Sequence, residues 1–247
     1  MGNLLLLPTP NSPFIYGDFE RGELIIAGKS TPYNIHDIMK PVNDWLKDYI
    51  ENSPNNLVLH IDLNYYNTQS SLMITGIIRL LNSSKNLDRF KAYWYYYKDD
   101  DDIMEDGEDY KSVSNFPFEL IQDENISAIS IKKTSTSPLF YLDNTGDLVI
   151  EGDSQIENPL QFYRPVIKWL SNQLVTQTLG SIALDIHLHS IQPSNLPYIK
   201  GIINTIESLH LSDIKAKIEW KYSSSEVEKF GEECLKSFRS HFYFKQV

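Results

Sequence analysis

GELIIAGKS, residues 22–30, returns 124 residues later as GDLVIEGDS, residues 146–154. The same offset matches KPVNDWLKD (40–48) to RPVIKWLSN (164–172), aligning Pro41 with Pro165 and Trp45 with Trp169. Further on, GIIRLL (76–81) matches GIINTI (201–206), WYY at 94–96 matches WKY at 220–222, and GED at 107–109 matches GEE at 231–233. Landmarks held in one order, with an offset drifting only between 124 and 126, mark a duplication. Each copy is about 120 residues, an ordinary domain length, and the period is too long for a solenoid. The chain therefore reads as two domains, 1–125 and 126–247, divided near 123–133, where DENISAISIKK passes from turn-like to strand-like residues.

Both copies carry the same pattern of elements. Ser12-Pro13 opens a short apolar strand, FIY, and DFERG turns into a second one, LIIAG, which predicts a hairpin. Its counterpart in the second copy, FYLDNTGDLVI, has a clearer turn at Asp143-Asn144-Thr145-Gly146. Ile35, Ile38, Met39, Val42, Trp45, Leu46, Tyr49 and Ile50 then follow helical spacing. Pro41 within that run, repeated as Pro165, predicts a kink or a fresh helix start. In LVLHIDLNYY the residues Leu57, Leu59, Ile61, Leu63 and Tyr65 alternate onto one face of a strand.

A second helix is expected over 69–83, burying Leu72, Met73, Gly76, Ile77, Leu80 and Leu81. FKAYWYYY follows as an aromatic strand, DDDIMEDGEDYKSV as a short acidic helix, and FPFELI as a closing strand. The order is β-β-α-β-α-β-α-β, twice. Helices between strands imply right-handed crossovers, so each α/β (α+β) domain is a mixed, mostly parallel sheet with an antiparallel hairpin at its edge.

Composition narrows the function classes. A hydrophobic fraction of 41% with 22% charged residues fits a folded, soluble chain, and no apolar run reaches the length of a membrane span. LLLL at 4–7 runs straight into Pro8 without a basic leader, unlike a secretory signal. Cys234 is the only cysteine, which suits a reducing cytoplasm. A formal charge of -11 with no basic face argues against a nucleic-acid partner.

Several constellations invite a chemical reading. Asp99 to Asp102, with Glu105, Asp106, Glu108 and Asp109, could gather a divalent cation, but the calcium-loop spacing fails. First-turn carboxylates complementing a helix dipole account for the run more simply, and Ser223-Ser224-Ser225-Glu226 has lost most of its charge in the second copy. Asp185, His187 and His189 share a strand face, with His60, Asp62 and Asn64 opposite them in the first copy, and read as polar surface positions. Tyr93 to Tyr97 read as core plus exposed edge rather than a stacking platform. There is no phosphate loop, nucleophile elbow or Cys/His pairing, so no catalytic residue and no cofactor is implied. Asn67-Thr68, just before an apolar-periodic run, supplies a helix cap, and a hydroxyl there is equally placed for a phosphate switch.

Taken together, Asn67-Thr68-Gln69-Ser70-Ser71, Trp94-Tyr95-Tyr96 running through Asp102 to Gly107-Glu108-Asp109, and Pro41 with Trp45-Leu46 resemble the SiaC family of bacterial regulatory phosphoproteins. The resemblance covers nearly the whole of each repeat. It implies a fold similar to anti-sigma-factor antagonists and a partner-switching adaptor without catalysis of its own. A partner kinase would phosphorylate Thr68, a PP2C-type phosphatase would reverse this, and the unmodified form would bind and activate a diguanylate cyclase. Asn67, Ser70 and Ser71 would line the same turn, with Asp100, Asp101, Asp102, Glu105 and Glu108 of the acidic helix as the partner surface. Gln69 and Leu72 depart from the family's serine-rich turn and following lysine. The second copy has Gln192-Pro193-Ser194-Asn195, with no hydroxyl at the matched position. The alternative is a constitutive binding or scaffold module that has lost phosphoregulation. The short join between the copies suggests an internal pseudo-dimer.

Overall fold

Six strands in chain order build each half of the molecule. The computed structural model describes residues 2–124, 128–235 and 241–247. In the first half β1 (Leu4–Leu6), β2 (Phe14–Asp18) and β3 (Glu23–Ser30) precede α1 (His36–Asn52). Then come β4 (Leu57–Tyr66), α2 (Thr68–Asn82), β5 (Phe90–Tyr97), α3 (Asp101–Ser112) and β6 (Phe118–Asp123). The second half repeats this as β7 (Ile129–Ile131), β8 (Leu139–Leu142), β9 (Asp147–Ser154), α4 (Pro159–Thr176) and β10 (Ser181–Ile191). It closes with α5 (Leu196–His210), β11 (Lys215–Tyr222), α6 (Ser225–Leu235) and β12 (His241–Gln246). Contacts divide the chain into units Met1–Asn125 and Ile126–Val247, and the expected boundary at 125/126 lies outside the described residues.

The sheets run β1-β2-β3-β4-β5-β6 and β12-β11-β10-β9-β8-β7. The pairings β1-β2, β2-β3, β7-β8 and β8-β9 are antiparallel and the other three of each sheet parallel. Each unit thus carries one strand more than the order read from the sequence. Three residues, as in Leu4–Leu6 pairing with Ile15 to Gly17, are too few to show an alternation. Because successive parallel strands are neighbours, right-handed crossovers bring all three helices of a unit to one face of its sheet. That face holds the core: Leu57, Leu59, Ile61 and Leu63 on β4 lie in one cluster with Val42, Trp45 and Tyr49 of α1 and Met73 and Ile77 of α2.

Three local expectations change. α1 and α4 run unbroken through Pro41 and Pro165. The buried stripe Ile38, Val42, Trp45, Leu46 and Tyr49 continues across Pro41, so packing outweighs the missing hydrogen bond. Leu72 is 56% exposed; the buried positions of α2 include Ile74 and Ile78 instead. Finally, Tyr65 leaves the core face of β4. A register shift opposite Gly28 and Lys29 leaves Asn64 as an extra residue, so alternation restarts one position late and Tyr65 is 52% exposed. The same shift recurs between Leu188 and Ser190 in β10.

Candidate functional site

At the end of β4 the chain passes through Asn67 into α2. Asn67 is extended (φ −103°, ψ 174°) and its Oδ1 accepts the Ser70 N–H at 3.1 Å. Asn67 is therefore the cap, and Thr68, expected to share that work, is the first helical residue, with an exposed side chain. Ser70 is a further correction. Its side chain is fully buried, pairing with Ser30 Oγ at 2.7 Å and donating to the Ser30 carbonyl at 2.8 Å, so it fixes the turn from beneath and offers nothing to a partner. Ser71 is half-buried and hydrogen-bonds the hydroxyl of Tyr110. Gln69 is exposed, and Leu72 lies one helical turn after Thr68 on the same side.

The bulge at Asn64 has a consequence for the site: Tyr66, rather than Tyr65, turns toward the helices. Its hydroxyl donates to the Asp106 carboxylate on α3. Burial, then this bond, pushes the Tyr66 pKa well above the ordinary phenol range. Tyr110 is also raised, chiefly by burial, with the neighbouring Ser71 and Tyr66 hydroxyls pulling it back. Trp94 completes the group, its centroid 6.2 Å from Tyr66 and 5.3 Å from Tyr110. The acidic helix and the Thr68 turn are thus held side by side by Tyr66, Tyr110 and Trp94.

The sequence of α3 explains its own placement. Asp100 caps it, accepting the Ile103 N–H at 3.2 Å, and Asp101 and Asp102 stand exposed in the first turn, where the positive end of the helix dipole favours them. Trp94 Nε1 donates to the Ile103 carbonyl at 2.8 Å. Gly107 lies against the indole; a Cβ there would come within 2.5 Å of Trp94 Cδ1. The Trp-x-Tyr and Gly-Glu-Asp motifs are therefore two halves of one packing contact. Glu105 and Glu108 face solvent, Glu108 pairing with Lys111 at 3.3 Å.

In the second unit the scaffold persists without a hydroxyl at the matched position. The Gln192 N–H donates to the Ser154 carbonyl at 2.8 Å, as Asn67 N–H does to Ser30 at 3.1 Å. Asn195 takes the place of Ser70, fully buried and bonded to Ser154 Oγ at 3.2 Å and to the Ile156 carbonyl at 3.1 Å. Pro193 opens a 3-10 turn where Thr68 stands. Gly231 keeps its seat against Trp220. The Tyr66–Asp106 pair becomes Ile191 and Phe230, which border a cleft of ≈ 200 Å³ with Pro193 and Leu196.

The other residues singled out in the sequence lie on the far sheet faces. Asp185 pairs with Lys221 at 2.6 Å and His189 approaches Asp153 at 3.9 Å. Burial, followed by His189, lowers the His187 pKa. In the first unit His60 and Asp62, expected at the surface, are buried, and His60 hydrogen-bonds Tyr95 at 2.9 Å and stacks with Tyr93 and Tyr95. Among the described residues no three His, Cys, Asp or Glu side chains converge as a metal site would need, and no helix is long and apolar enough to cross a membrane.

The model of the SiaC family regulatory phosphoproteins matches the chain twice, over residues 6–123 and 131–247. An uncharacterized protein of Pseudomonas aeruginosa is 28% identical over 121 residues, 49% of this chain and 96% of that protein. Among solved structures, apo-SiaC of the same organism is 29% identical, covering 49% of this chain and 98% of its own, with a TM-score of 0.45. SiaC in a crystal structure with the diguanylate cyclase SiaD, whose activator it is, is 27% identical, covering 49% of this chain and 99% of its own, with a TM-score of 0.47.

Proposed function

From a chain that belongs, in both its halves, to the SiaC family of regulatory phosphoproteins, we propose a signalling adaptor whose partner binding is switched by phosphorylation of Thr68. The observation that carries this reading is the exposed Thr68 hydroxyl on the first residue of α2, beside α3 and Leu72. The first N–H groups of a helix have no intrahelical acceptor, so they and the helix dipole accommodate a phosphate. That phosphate adds a charge of about −1.5 to −2 next to a helix already carrying Asp101, Asp102 and Glu105.

Unmodified, the surface offers a partner the apolar Leu72 on α2 and the exposed carboxylates of α3. Phosphorylated, it buries that contact only at the cost of desolvating a dianion, and it repels an acidic neighbour. The partners of this reading are a protein kinase, a PP2C-type phosphatase and, by analogy with the activator of SiaD, a diguanylate cyclase. Asn67 and Asp100 hold their helices in place by capping, Ser70 by its buried bonds, and Asp101, Asp102, Glu105, Glu108 and Leu72 make contact. Ser71 acts through Tyr110.

A second reading is favoured by Pro193: the second unit binds constitutively or serves as scaffold, since its matched position carries no hydroxyl. Incubating the full chain with the kinase and ATP, followed by intact-mass and peptide analysis, tests the switch. One phosphate on Thr68 is expected. No phosphate on Thr68, with the kinase active on another substrate, would reject it and leave the constitutive reading for both units.

A further inference from the structure

We propose that the second unit binds a small planar aromatic anion in a cleft at the N-terminal ends of β9, β10 and β11. The cleft encloses ≈ 510 Å³ and is lined by residues including Gly146, Ala183, His210, Lys215, Lys217 and Tyr243. That volume is ordinary for a small-molecule site.

The duplication supplies an internal comparison, because the first unit has bulkier or paired residues at the matched positions. Where β11 has Ala216, β5 has Phe90, which is buried and packs edge-on against Phe116 at 6.2 Å. In place of Lys215 stands Arg89, whose guanidinium donates to the Ser53 and Asn55 carbonyls at 2.5 Å each. Lys91, the match of Lys217, is held by Glu119 at 2.8 Å. By strand register Tyr243 occupies the Glu119 position. Lys217 therefore lies 5.0 Å over the Tyr243 ring, with Glu219 no nearer than 3.8 Å. Ala216 is smaller than Phe90, and with tyrosine at the Glu119 position Lys217 keeps only the longer 3.8 Å ion pair to Glu219 beside an aromatic wall.

His210 adds a polar atom without a partner. It closes α5, lines the cleft, and its Nδ1 is buried with no hydrogen bond among the described residues. Unpaired buried polar atoms are costly, and a bound group supplies what is missing. Two lysines, Lys215 and Lys217, and one carboxylate, Asp147, line this cleft beside His210 in a chain of net charge -11, and Glu219 lies 3.8 Å from Lys217. The charge selects an anion, and the walls of Ala183, Ala216 and Tyr243 select a flat apolar body. The site is independent of Thr68.

Titrating the full chain with 8-anilinonaphthalene-1-sulfonate, followed by fluorescence and amide NMR, tests this. Saturable one-to-one binding is expected, with shifts at Gly146, Ala183, Ala216 and Tyr243. Lys217→Glu and the uncharged N-phenyl-1-naphthylamine should each weaken binding about tenfold or more. Ala216→Phe, restoring the residue type of the first unit, should abolish it. Binding that does not saturate, shifts elsewhere, or affinity indifferent to the charge of either Lys217 or probe would overturn the proposal. Should Ala216→Phe fail to fold, Lys217→Glu decides alone.

Discussion

With the Asn67 carboxamide committed to the Ser70 N–H, the hydroxyl of Thr68 is spared for other use. Asn67→Ala should lower stability by about 1 kcal/mol, the usual loss for a cap, whereas Thr68→Ala should stay within about 0.5 kcal/mol. Urea midpoints of the two variants, compared at one slope, separate the roles. The sequence could not assign them, since both residue types cap helices and they are adjacent; the φ and ψ of one residue decide. Cys234 illustrates a second consequence of burial. Its thiol pKa is pushed up from 9.0 to about 12, chiefly by desolvation. The neutral thiol is the form the fold favours, so its contribution to stability is whole below pH 9 and is lost as pH climbs toward 12. Native protein at pH 8 should therefore react with a thiol reagent far more slowly than protein in urea. Equal rates would show the thiol to be accessible.

Among the elements, α3 depends on one glycine. Gly107→Ala places a methyl against the Trp94 indole and should cost about 1–3 kcal/mol, with a changed near-UV signal from the tryptophan and weaker partner binding through a displaced α3. Unchanged tryptophan signals would mean that α3 is not seated there. This contact shows what the sequence did and did not disclose. Periodicity located α1, α2, β4 and β5 because each spans enough residues to display it. It missed Leu4–Leu6, which is too short, left the strand-like residues at Ile129–Ile131 out of the element order, and placed Tyr65 wrongly because a bulge cannot be read from alternation alone. It also assigned Leu72 to the core, where the apolar stripe of α2 in fact turns away from it. The Tyr66–Asp106 bond spans 40 residues and joins two elements that only the sheet order brings together, so no local pattern announces it.

On the scale of the whole chain, the duplication was legible throughout, since matched glycines, prolines and tryptophans keep their places. What it left unsaid is which matched positions hold the fold and which hold the function. Ser30 with Ser70, and Ser154 with Asn195, preserve one buried polar tie with different atoms. If the proposed switch operates, Thr68→Glu should weaken binding of a cyclase partner at least about tenfold, while Pro193→Glu leaves it unchanged. Pull-down or calorimetry with both variants checks this, and equal losses would place the contact on both units. Pro193 then sets the form of the signal. Two acceptor threonines would give four phosphorylation states and allow a stepped output. One acceptor gives two states, so under the proposed switch occupancy under opposing kinase and phosphatase would follow a single curve with one midpoint, to which Pro193 adds no second step.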